Sequence, residues 1–162
     1  MRRSRMFLFL GLAIVLSGCM KKSEIAKIIQ RDKIYEKALI YTKENQLVSS
    51  LETKATITAT LLNEVFPKRF KYDEGISFFV GVISDMPLDL SKNIFLDEKT
   101  PIGVRSIGQK DPLYILMPSV NRWGSYYVVT FPSINSRFFT LKLRVDPYDS
   151  IKLNFQRLTL RR

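Results

Sequence analysis

The chain of 162 residues has no histidine, a single cysteine (Cys19) and only seven glycines. Without histidine there is no Ser-His-Asp or Cys-His catalysis and no histidine-ligated zinc. A general base would have to be a carboxylate, a lysine or a tyrosine. One cysteine makes no intrachain disulfide, so a folded domain must be held by its apolar core. The glycines are scattered, and neither G-x-G-x-x-G nor G-x-x-x-x-G-K-[ST] occurs, so no phosphate-cradling loop is signalled. The G-x-S-x-G elbow, the S-x-x-K pair and the D-x-[DN]-x-[DN]-G calcium loop are also missing.

What is present favours a folded domain. The chain is 46% apolar with 11 phenylalanines, too hydrophobic for intrinsic disorder, and its length suits one domain with a real core. The formal net charge is +11. Such a balance points to anionic neighbours, although solubility alone also accounts for it.

The N-terminus carries the strongest motif. Arg2, Arg3 and Arg5 precede an apolar run from Phe7 to Leu16, and Leu16-Ser17-Gly18-Cys19 follows. A basic segment, a short apolar segment and a small-residue cleavage site make a secretory signal peptide. The run is about half of the ~20 apolar residues that a membrane-spanning helix needs. Leu16-Ser17-Gly18-Cys19 resembles the lipobox of bacterial lipoproteins, a likeness confined to roughly the first 20 residues. The resemblance implies cleavage before Cys19, a diacylglycerol on its sulfur and acylation (typically palmitate) of the freed amine. It places the mature chain in the cell envelope, anchored to a membrane, with its domain in the periplasm or at the surface. Met20, where some relatives carry an inner-membrane retention aspartate, favours the outer membrane. Each buried methylene contributes about 0.8 kcal/mol, so two or three acyl chains anchor firmly without a transmembrane helix. Loss of residues 1–18 removes three arginines and no acid, leaving a net charge of about +8. On this reading nucleic acid is not a partner; phospholipid headgroups, lipopolysaccharide phosphates, cell-wall glycans or an envelope protein are.

Residues 20–46 read as one amphipathic helix. Ile25, Ile28, Ile29, Tyr35, Ala38 and Leu39 recur at steps of three and four, and Ser23 is the expected N-cap. The stripe either packs on the following domain or lies near lipid headgroups. Lys43 to Ser50 reads as a linker. Near Val48 the period changes to two. Ala55, Ile57, Ala59 and Leu61 alternate with Lys54 and threonines, and Ile76 to Ile83 is apolar on both faces. Asn93–Leu96, Gly103–Ile107, Leu113–Met117 and Tyr126–Phe131 are further expected strands. A last hairpin joins Phe139–Val145 to Ile151–Phe155 through Asp146 to Ser150. The expectation is a mainly β fold after one N-terminal helix: a β-sandwich of seven or eight strands, immunoglobulin-like by strand count. The divisions are a signal peptide at 1–18, a lipidated N-terminus and helix at 19–47, and a single β domain at 48–162.

No motif points to an enzyme, a metal or a cofactor. Of the carboxylate pairs, Asp73-Glu74 and Asp146/Asp149 fall in turn-forming segments, and Asp97 and Glu98 would point to opposite faces if on a strand. The candidate contact site is Arg122, Trp123 and Tyr126, because tryptophan and arginine are enriched at binding hot spots. The competing reading buries Trp123 as a cap on the core. The expected function is therefore a non-enzymatic binding, structural or assembly role in the envelope. The alternatives are a carboxylate enzyme acting on cell-wall or lipid material, or a carrier of an apolar ligand.

Overall fold

The computed structural model describes residues 22–116, 121 and 123–158, with backbone only for 22–29. Cys19 and Arg122 lie outside them. The chain divides into two units, Met1–Lys33 and Ile34–Arg162. Of the first, the described part is the beginning of helix α1 (Lys22–Ile40).

The second unit is mainly β, as expected. Its strands are β1 (Thr42–Ser49), β2 (Glu52–Leu61), β3 (Ile76–Ser84), β4 (Ile94–Leu96), β5 (Gly103–Ser106), β6 (Ser125–Phe131), β7 (Phe138–Arg144) and β8 (Ser150–Gln156). Single helical turns α2 (Leu62–Val65) and α3 (Leu90–Asn93) follow β2 and precede β4. One sheet has the order β1-β2-β3-β6-β5 and the other β4-β7-β8, with every pairing antiparallel.

Alternation sets which side chains go inside. Ile57, Leu61, Phe78 and Phe131 of the first sheet and Leu141, Leu143 and Phe155 of the second belong to one buried cluster, so the sheets pack face to face. Phe78 is at its centre, with ring centroids 6.1 Å from Phe131, 6.2 Å from Phe139 and 4.9 Å from Phe155. The outer face of the first sheet is covered too. Phe79, Tyr126 and Val128 form a second buried cluster with Ala38 of α1, Leu62 and Val65 of α2, and Leu113 and Leu116. Central strand β3 is therefore apolar on both faces because both are covered.

Three expectations are corrected. Helix α1 ends at Ile40, and Lys43 to Ser50 is not a linker but almost all of edge strand β1 with its turn. The chain turns where Thr42 Oγ1 donates to the Ala38 carbonyl at 2.7 Å. β1 hides in the sequence because Lys43 to Gln46 are exposed polar residues, as suits a sheet edge. The helix packs through Ile34 and Ala38, whereas Leu39 of the expected stripe is exposed. Finally, Pro112–Leu116 is a 3₁₀ helix, not a strand. Asp111 starts it, its Oδ1 accepting from Leu113 N at 2.9 Å and its carbonyl from Tyr114 N at 2.9 Å.

Candidate functional site

Two depressions lie at opposite ends of the sheets. The first holds Trp123. The Asn121 Oδ1 accepts from Trp123 N at 2.9 Å, and the Asn121 carbonyl accepts from Gly124 N at 3.0 Å, closing a tight loop before β6. The Tyr126 hydroxyl pins that loop, accepting from Asn121 N at 3.2 Å and donating to its carbonyl at 3.1 Å. Gly124 is required here, since a Cβ would stand 2.5 Å from the Tyr126 hydroxyl oxygen.

The expected contact trio is thus split. Trp123 is 72% exposed and does not cap the core. Tyr126 is 7% exposed, stacked on Phe79 and edge-on to Tyr114, and serves the contact only by holding the loop. Arg122 lies outside the described residues. Trp123 borders a half-open groove of about 340 Å³, walled by Val82, Met86, Leu88, Leu90 and Tyr127 together with the polar Ser84, Asp85 and Ser125. These walls belong to the strand ends and the β3–α3 loop, so the groove opens at the mouth of the inter-sheet core.

The second depression, about 480 Å³, lies at the other end between Pro67–Asp73 and Ser133–Asn135, with Arg157 on its wall. Sequence reading missed it. Beneath it Asn63, 1% exposed, donates to the Gly75 carbonyl at 2.9 Å and accepts from Ser77 N at 2.8 Å. Glu64, 6% exposed, accepts at Oε1 from the Tyr72 hydroxyl at 2.7 Å and from Leu158 N at 3.1 Å. Burial first, and then the bond to Glu64, hold the Tyr72 phenol well above its ordinary pKa. The Arg157 guanidinium lies 3.9 Å over the Tyr72 ring. The available signal was the polar pair Asn63-Glu64 inside the apolar run Leu61 to Phe66.

At least one member of each carboxylate pair has a structural partner. Asp97 Oδ1 accepts from Thr140 N at 2.8 Å, Glu98 pairs with Lys142 at 3.2 Å, Glu74 pairs with Lys71 at 2.8 Å, and Asp149 accepts from Ser150 N at 2.7 Å. Among the described residues no cluster of acids and cysteine has the geometry of a metal site. No described helix is long and apolar enough to cross a membrane.

No family model, curated protein or solved structure matches the chain.

Proposed function

We propose that this chain is a lipid-anchored protein of the bacterial cell envelope, with a non-enzymatic β domain that binds a partner. The anchor reading rests on Leu16-Ser17-Gly18-Cys19 and the basic, apolar segments before it. The binding reading rests on one observation: Trp123, the chain's single tryptophan, is 72% exposed beside a half-open groove of mixed polar and apolar lining. Leaving so large an apolar surface in water is unfavourable, and tryptophan is a preferred binding anchor.

The proposed architecture is an immunoglobulin-like sandwich. With β1 set aside, β2-β3-β6-β5 against β4-β7-β8 has the order of strands ABED against CFG. By that correspondence the Trp123 groove lies between the B–C and D–E connections, at the end where variable immunoglobulin domains carry their three binding loops. The likeness is one of topology, and function rests on the groove. The domain departs from the pattern in its extra strand β1, its three-residue β4 and its lack of a disulfide. Outer-membrane attachment, with the domain in the periplasm or at the surface, follows from the lipobox and Met20.

In-cell crosslinking of the tagged full-length chain, followed by mass spectrometry, tests both parts. One dominant envelope partner is expected, lost in Trp123→Ala while the melting temperature stays within about 2 °C, because exposed positions contribute little to stability. An unchanged partner profile in Trp123→Ala refutes the groove. Labelled palmitate is expected on the native chain and not on Cys19→Ala; incorporation in both refutes the anchor.

A further inference from the structure

Of the residues that line the Trp123 groove, only Asp85 carries a charge at neutral pH. The chain has 26 basic residues against 15 acidic ones, so a lone acid on this wall runs against the overall balance. The β3–α3 loop holds two aspartates, and they differ. Asp89 has a structural task. Its Oδ1 accepts from Ser91 N at 3.0 Å and from the Ser91 hydroxyl at 2.6 Å, capping α3, and it pairs with Lys92 at 3.6 Å. The Asp85 carboxylate has no hydrogen bond or ion pair among the described residues. The ammonium of Lys54, the lysine bonded to this loop through its carbonyl, is taken by Glu52.

The backbone beneath Asp85 is braced. Asp85 N donates to the Lys54 carbonyl at 3.4 Å, and the Ser84 hydroxyl donates to the same carbonyl at 3.3 Å while accepting from Met86 N at 3.2 Å. The carboxylate is therefore held at the groove's rim. The hydroxyls of Ser125 and Tyr127 also lack a hydrogen-bond partner among the described residues. Binding sites combine apolar walls with a few placed polar groups, and opposite charge across an interface selects the partner. The complement of this groove is a cation for Asp85 with apolar groups beside it. An extended peptide supplies that arrangement, because its side chains at i and i+2 point one way and the one between them points the other. Arginine matches a carboxylate better than lysine does, through two parallel bonds. A neutral glycan would use the hydroxyls but leave the carboxylate without a counter-charge.

We propose that the groove takes an extended protein segment in which a basic residue, arginine best, stands between two apolar ones. The guanidinium meets the Asp85 carboxylate, and the apolar side chains lie against Met86, Leu88 and Leu90. This names the partner's chemistry for the binding reading above and rests on that reading.

Because the chain has one tryptophan and it borders the groove, intrinsic fluorescence reports the site directly. The full chain, in an uncharged maltoside detergent, is titrated with three capped peptides, Leu-Arg-Leu, Leu-Gln-Leu and Leu-Glu-Leu. Leu-Arg-Leu is expected to shift the emission saturably and to bind at least fivefold more tightly than Leu-Gln-Leu, with Leu-Glu-Leu weakest. Asp85→Asn is expected to remove the preference for arginine while leaving Leu-Gln-Leu binding unchanged. Asp85→Lys is expected to reverse the order, favouring Leu-Glu-Leu. Asp85 is exposed, so both variants should melt with the native chain, and melting curves check this. Equal saturable binding of all three peptides would overturn the proposal and leave the groove reading standing. So would an arginine preference that survives both Asp85 variants. Chitotriose binding more tightly than Leu-Arg-Leu would overturn it in favour of a glycan. No response to any of the peptides would also overturn it, and crosslinking of Trp123→Ala then decides the groove separately.

Discussion

Asn63 shows how much one side chain can hold. It is fully buried and bonds the backbone at Gly75 and Ser77, which brings the long connection after α2 into β3. Gly75 itself has φ 143°, and a Cβ there would stand 2.6 Å from the Phe131 carbonyl oxygen, so the connection needs both residues. Asn63→Ala strands a buried N–H and a carbonyl, each worth about 1–3 kcal/mol when left unpaired. A loss of about 3 kcal/mol in urea-unfolding free energy is expected; a loss below about 1 kcal/mol would mean that water replaces the amide. None of this was legible beforehand, because Asn63-Glu64 looks like an ordinary polar pair until the 66–75 connection folds over it. Trp123 was legible as a contact candidate from residue type alone. The inward turn of Tyr126 was not, since it depends on which face of β6 meets the outer cluster.

Elements expose a different kind of conflict. The β1–β2 hairpin turns through Ser50 and Leu51, both at positive φ (53° and 65°), the pattern of a type I′ turn. Leucine is poorly suited to this conformation, which costs about 1–2 kcal/mol in a residue with a side chain, and Leu51 is fully exposed. Replacing Ser50-Leu51 by Asn-Gly is expected to raise stability by about 1–2 kcal/mol in denaturant melts; no gain would mean that the turn is unstrained. The 3₁₀ turn at Pro112–Leu116 depends on Asp111. The Arg105 guanidinium, 2.6 Å away, and then the Leu113 amide hold the Asp111 carboxyl below the usual carboxylate range. Its folded pKa is thus lower than its unfolded value of about 4. The stability it contributes is complete above that value and is lost as pH falls through the lowered folded pKa. Asp111→Ala is expected to narrow the difference in urea midpoint between pH 7 and pH 3. An unchanged difference would show that the pair with Arg105 contributes nothing.

On the scale of the molecule, the β unit stands on one inter-sheet core without disulfide support. Phe78 touches aromatic rings from three other strands, β6, β7 and β8. Phe78→Ala is expected to cost about 3–5 kcal/mol, a large share of the roughly 5–15 kcal/mol of an ordinary domain. Calorimetry should show one transition at a much lower temperature. Separate melting of the two sheets would mean that they do not share a cooperative core. The two depressions sit at opposite ends of this unit, so a ligand at one leaves the other open.

The sequence by itself determined the helix before the β unit, the inward faces of β2, β3, β7 and β8, and the exclusion of histidine chemistry, and it carries the residues on which the anchor proposal rests. These are properties of spacing and residue type, which local chain geometry translates directly into faces. Only the tertiary structure decided that β1 is a strand, that 112–116 is helical, and which strands become neighbours. It also decided that Trp123 faces water, that Tyr126 does not, and that Glu64, Tyr72 and Arg157 meet. An edge strand has no buried face to leave an alternating pattern. A constellation drawn from residues 64, 72 and 157 exists only once the turn after β2 packs against the end of β8.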